Sequence, residues 1–126
     1  LLSQKDVRQL QFAKGSIATG IQVLMNEMGV QAGDLEEVLL AGAFGSYINP
    51  ESARLIGLVP PVSLPRVRAV GNAAGEGAKI ALLSYREREA AEAMPMRVEY
   101  FELSGRVDFN DLFMKALAFP PIDSLP

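Results

Sequence analysis

The chain has 126 residues, of which 49% are hydrophobic and 21% charged, and a net charge of −3, the profile of one globular domain. It holds no cysteine and no histidine. That excludes disulfides, a thiolate-held iron–sulfur cluster, Cys/His zinc sites and any Ser-His-Asp or Cys-His mechanism within these residues.

Ser3 followed by Asp6 is a capping-box spacing with Asp in the usual Glu/Gln place. Val7, Leu10, Ala13, Ile17, Ile21, Leu24 and Met28 recur every three or four residues, which predicts one buried stripe on a helix of about 25 residues. Gly29 is its expected C′ residue. Residues 37–41 form a short apolar run entering Gly42, read as a buried strand of a parallel sheet with Leu39 and Leu40 on opposite covered faces. Asn49-Pro50 opens a short helix that Gly57 stops. Val67-Arg68-Ala69-Val70 reads as a second strand, ending in Gly71, after which Asn72 caps a long helix running to Met94-Pro95. Residues 97–103 alternate imperfectly and are read as a third strand. Asp108 is expected to cap a last helix with Phe109, Leu112, Phe113, Ala116 and Leu117 on its buried face. The order α-β-α-β-α-β-α predicts an α/β fold, a short, mostly parallel sheet flanked by helices.

No two Lys/Arg residues are adjacent, so a surface that tracks nucleic-acid phosphates is not expected. The longest uncharged stretch, residues 38–50, is too short and too polar to span a bilayer. The start Leu1-Leu2-Ser3-Gln4 is neither a signal nor a transit peptide, and the expectation is a piece of a longer, cytoplasmic protein.

Three segments carry candidate chemistry. Residues 38–47 run from a buried strand into a turn with Gly42 and Gly45 three apart. Ligands of open α/β sheets sit beyond the carboxyl ends of strands, and glycine there lets backbone approach a flat ligand. The alternative is a tight strand-to-helix turn that needs glycine for φ alone. No Gly-Lys-Ser/Thr and no G-x-G-x-x-G follows. Residues 70–78 repeat the theme, a strand giving way to a helix of small residues, with close helix–sheet packing as the alternative to ligand contact. On the first helix, Gln11, Lys14, Gly15 and Ala18 sit together at helical spacing; a lysine among small residues leaves room for a ring or a phosphate, and a solvated lysine is the alternative. The carboxylates form no general acid/base pair, and Glu76 is read as a surface residue.

Taken together, "SQKDVRQLQFAKGSIATGIQVL", "VLLAGAFGSYINPESARLIGLVP", "VGNAAGEGAKIALLS" and "VEYFELSGRVDFNDLFMKALAFP" resemble the C-terminal part of the ATP-dependent reductive activators of corrinoid proteins. These belong to the superfamily of acetate and sugar kinases, heat-shock chaperone ATPases and actin. The resemblance runs from about Ser3 to Pro120 and is carried best by Ala41-Gly42-Ala43-Phe44-Gly45 in order with Gly71-Asn72-Ala73-Ala74-Gly75.

The resemblance implies an actin-like, ribonuclease H-like ATPase fold in which residues 1–126 are a single C-terminal unit of a larger domain. It implies a parent protein that uses ATP hydrolysis to restore cob(I)alamin in a corrinoid methyl carrier, with Mg at the nucleotide and a plant-type 2Fe-2S cluster upstream of this chain. It implies that Gly42, Ala43, Phe44 and Gly45 wall the adenosine, with Lys14 and Gln11 on a flanking helix. The superfamily holds phosphates and Mg with two Asp-x-Gly turns, and this chain has none. No residue here is therefore assigned a catalytic or metal-holding role, and the chain is expected to be the adenosine side of a cleft whose phosphate side lies upstream. The expected partners are the corrinoid protein, through the parent, and the upstream domains; a homodimer stays open. Two other readings stay open as well: a non-catalytic interaction or dimerisation module on the same fold, and an activator of a radical dehydratase.

Overall fold

A computed structural model gives the fold and describes residues 1–103, 105–121 and Asp123. The first helix, α1, spans Gln4–Met28. Ser3 accepts from the Asp6 amide, and the Asp6 carboxylate accepts from the Ser3 amide at 2.9 Å and the Ser3 hydroxyl at 2.6 Å. These bonds satisfy amides that the first turn leaves without partners. The Ser3 hydroxyl, then its amide, hold the Asp6 carboxyl below the usual carboxylate range. Gly29 ends the helix at φ +65°, as expected of a left-handed C-terminal cap.

The expected stripe on α1 is not the buried one. Leu10, Ile17, Leu24 and Met28 are exposed, and the buried residues are Lys14, Gly15, Thr19, Val23 and Met25. The reason is the last helix, α6 (Phe109–Leu117), which crosses α1 at Gly15. A Cβ built on Gly15 would stand 3.2 Å from Leu117 and 3.3 Å from Phe113, so the small residue sets how closely the helices approach. Phe113 also packs on Phe12, with ring centroids 6.1 Å apart.

Strand β1 (Val38–Ala41) pairs in parallel with β2 (Val67–Gly71). Between them run α2 (Gly42–Tyr47) and α3 (Pro50–Leu55). Asn49 caps α3 by accepting from the Ser52 amide at 2.9 Å. The core is Ala53, Leu58, Val59, Val62 and Val67, with Val38, Leu40, Ile48 and Ile56 packed against it. It covers one face of the sheet. Leu39 is 54% exposed, which corrects the expectation that both faces are covered: α3 and the proline-rich connection fill one side only.

The sheet of the described residues has two strands, not three. Met94–Arg97 form a 3-10 turn, and residues 98–103 carry no strand. Tyr100 instead donates to its neighbour Glu102 at 2.6 Å. A strand needs a partner strand, and among the described residues β1 and β2 pair only with each other. The expected long helix after Asn72 is two helices, α4 (Ala73–Leu83) and α5 (Tyr85–Ala93). Ser84, with extended backbone at φ −129°, breaks them apart and caps α5 by accepting from the Glu87 amide. No residue of α4 is buried.

Asp108 precedes α6 but makes no cap bond with its side chain. Arg106 takes both its oxygens, at 2.9 and 3.0 Å, and also reaches Glu27 of α1 at 2.5 Å. Hydrogen bonding from Arg106 holds the Asp108 carboxyl below its ordinary range. This bidentate fork ties the start of α6 to α1.

Candidate functional site

The two parallel strands end side by side, with Ala41 opposite Gly71 after a one-residue register shift that passes over Val70. Each runs straight into a glycine with positive φ, Gly42 at +75° and Gly71 at +62°. L side chains avoid this region, so both turns demand glycine. A Cβ built at either position meets nothing within 4 Å. The backbone at both carboxyl ends is therefore open to a ligand, in the place where α/β sheets bind theirs. The order strand-then-glycine marks Gly71 as plainly as Gly42, although the expected nucleotide set leaves Gly71 out.

Gly45 has a different duty. It is buried, and a Cβ there would overlap the carbonyl carbon and oxygen of Leu40 and stand 3.5 Å from the Gly71 amide nitrogen. Its absent side chain lets α2 fold back onto the last turn of β1. Ala43 is exposed on the same helix. The side chain of Phe44 lies outside the described residues. Gly75 serves the cap of α4: its missing Cβ makes room for Asn72, whose side chain accepts from the Gly75 amide at 3.0 Å.

Gln11 is half-buried on α1. Lys14 is 2% exposed, and this corrects the picture of a solvated lysine. Its ammonium donates to the Ala118 carbonyl and lies 5.3 Å from the centre of the Phe119 ring. It also faces Gly57, where a Cβ would stand 3.6 Å away. Burial pushes the Lys14 amine below its ordinary pKa, because a desolvated cation loses hydration. Its side chain helps line a cleft of about 450 Å³ between α1 and α3, together with Leu10, Ile17, Tyr47, Asn49 and Ile56. The structure thus brings Gly42, Ala43 and Gly45 together with Gly71, and commits the Lys14 ammonium to the segment after α6.

Among the described residues no three His, Cys, Asp or Glu side chains gather to hold a metal ion. The chain has no cysteine for a cluster. With no such set gathered to hold Mg²⁺ and phosphates, the 126-residue chain is expected to bind ADP with Mg²⁺ no more tightly than about millimolar. Calorimetry checks this, and micromolar binding would reveal a complete site.

A family model described as the C-terminal domain of RACo, the ASKHA domain, matches residues 1–126. Over 119 residues the chain is 40% identical to the corrinoid activation enzyme RamQ of Eubacterium limosum, covering 94% of this chain and 20% of that protein. It is 24% identical to the [Co(II) methylated amine-specific corrinoid protein] reductase of Methanosarcina barkeri, covering 94% of this chain and 22% of that one. Among solved structures, a reductive activator for corrinoid, iron–sulfur protein superposes with a TM-score of 0.84 at 30% identity, over 94% of this chain and 19% of that one. The chain spans about one-fifth of these relatives. The actin-like fold follows from the family and from this superposition.

Proposed function

Because the chain belongs to the family of C-terminal, actin-like domains of reductive corrinoid activators, we propose that it supplies the adenosine side of the nucleotide cleft in an ATP-driven activator of a corrinoid protein. The observation that carries this reading is the pair of open, positive-φ glycines, Gly42 and Gly71, at adjacent ends of parallel strands. Backbone free of side chains can lie flat against adenine and ribose. Phosphoryl transfer is positioning and charge neutralisation, and among the described residues no carboxylate set gathers for it. The phosphate grip, with its Mg, and the 2Fe-2S cluster are therefore assigned to the rest of the parent polypeptide. In this reading residues 1–126 are one unit of a larger ATPase domain, and the parent works where ATP is held, in the cytoplasm. No helix of the described residues is long and apolar enough to cross a membrane.

The substitution Ala43→Trp tests the reading, since it adds bulk at an exposed position of α2 and leaves both glycine turns intact. In the parent protein it is expected to raise KM for ATP roughly tenfold, about 1.4 kcal/mol of lost binding, with unchanged thermal stability. ATP-dependent reduction of the cob(II)alamin protein should fall in parallel at low ATP. Unchanged ATP kinetics in a folded variant would remove the cleft from these strand ends.

A further inference from the structure

Two surfaces that expose apolar side chains have no covering layer among the described residues. The first is the sheet face that carries Leu39. Parallel sheets occur almost only with both faces covered, and two strands alone are marginal in water. Here one face has the core, while the other exposes Leu39 and Val70 beside Arg68, the register partner of Leu39, whose guanidinium is paired with Glu37. The second is α4. It is the more apolar of the two consecutive helices and buries no residue, and Ile80, Leu82 and Leu83 are all exposed, Leu83 at 86%. A helix with this composition is ordinarily a buried one. Its neighbour α5, with Arg86, Glu87, Arg88, Glu89 and Glu92, is built for solvent.

We propose that the Leu39 face of the sheet and the apolar side of α4 together seat the preceding part of the same polypeptide. The occupant follows from length and tethering. The relatives are about five times longer than this chain, and the matched family is a C-terminal domain. A segment joined in the same chain meets the surface at an effective concentration on the order of millimolar, which a second copy in solution does not reach. This rests on the reading that the chain is one unit of a larger ATPase domain.

The chain contains no cysteine, so single cysteines report the surface cleanly. Leu39→Cys, Leu83→Cys and the α5 control Glu89→Cys are each made in the 126-residue chain and in the complete gene product. Maleimide alkylation is followed peptide by peptide by mass spectrometry. Positions 39 and 83 are expected to react at least about tenfold more slowly in the complete polypeptide, and position 89 at the same rate in both. Equal rates at all three positions overturn the proposal. Protection in the short chain that grows with its own concentration also overturns it, in favour of a second copy. Should Leu39→Cys fail to fold, amide hydrogen exchange of α4 in the unsubstituted proteins decides: slower exchange in the complete polypeptide supports the proposal, and equal exchange overturns it. Failure of the adenosine reading is visible separately, as ATP kinetics indifferent to Ala43→Trp.

Discussion

Replacing Gly45 by alanine is expected to cost ~3 kcal/mol or more, the largest effect of any single methyl group added to this chain. The new carbon would fall on the main-chain carbonyl of Leu40. A side-chain neighbour could rotate away, but this carbonyl is main chain of the paired strand β1 and cannot yield without moving the strand. Gly42→Ala provides the comparison. Its surroundings are open and its only penalty is the positive φ, roughly 1–2 kcal/mol. Urea titration followed by circular dichroism should rank Gly45→Ala well below Gly42→Ala. A loss under about 1 kcal/mol at position 45 would mean that α2 does not lie against the strand as described. The same geometry makes Gly45→Val unsuitable as a probe of nucleotide contact, because it disturbs the fold before it reaches any ligand.

Lys14→Ala should be the next most damaging, at ~2–3 kcal/mol, since it removes a charged donor from the Ala118 carbonyl and a long buried stem. The substitution Lys14→Met keeps most of the stem and should recover about half of that loss. The charge leaves a signature in pH. Burial lowers the folded-state pKa of the amine below its ordinary 10.5. Between those two values the unfolded chain holds more protons than the folded one, so the Lys14 contribution to stability rises as pH rises through the window and is flat below it. Stability of the native chain minus that of Lys14→Met, followed through the alkaline range, should show this upward slope. A downward slope would mean that the folded site favours the charged form.

The local signals in the sequence were legible where chemistry is short-range. Ser3 with Asp6, Asn49-Pro50, Asn72 and Gly29 each set a helix end as expected, because a cap needs only its own neighbours. Gly42 and Gly71 announced the strand ends for the same reason. The failures are all non-local. The buried face of α1 is chosen by α6, about a hundred residues away, through Gly15 and Lys14 rather than through the apolar stripe. Asp108 reads as a cap until Arg106 takes both its oxygens. The segment after Met94 reads as a strand, yet no described strand pairs with it. The burial of Lys14, which helical spacing left open to solvent, comes from a carbonyl and a ring supplied by the far end of the described chain. Periodicity records how much apolar surface an element carries, not which neighbour will claim it.

The clasp between the first and last helices also bears on the order of folding. Lys14 and Ala118 are 104 positions apart, and Glu27 and Arg106 are 79 apart, whereas β1 meets β2 across a much shorter excursion. The entropic cost of closing a loop grows with its length, and distant contacts are slow to form. The β1-α3-β2 unit, with its own core of Ala53, Leu58 and Val67, can therefore assemble first, with α6 docking on α1 last. Run backwards, the same hierarchy lets the α6 clasp come undone while the paired strands, and the two glycine turns at their tips, keep their shape.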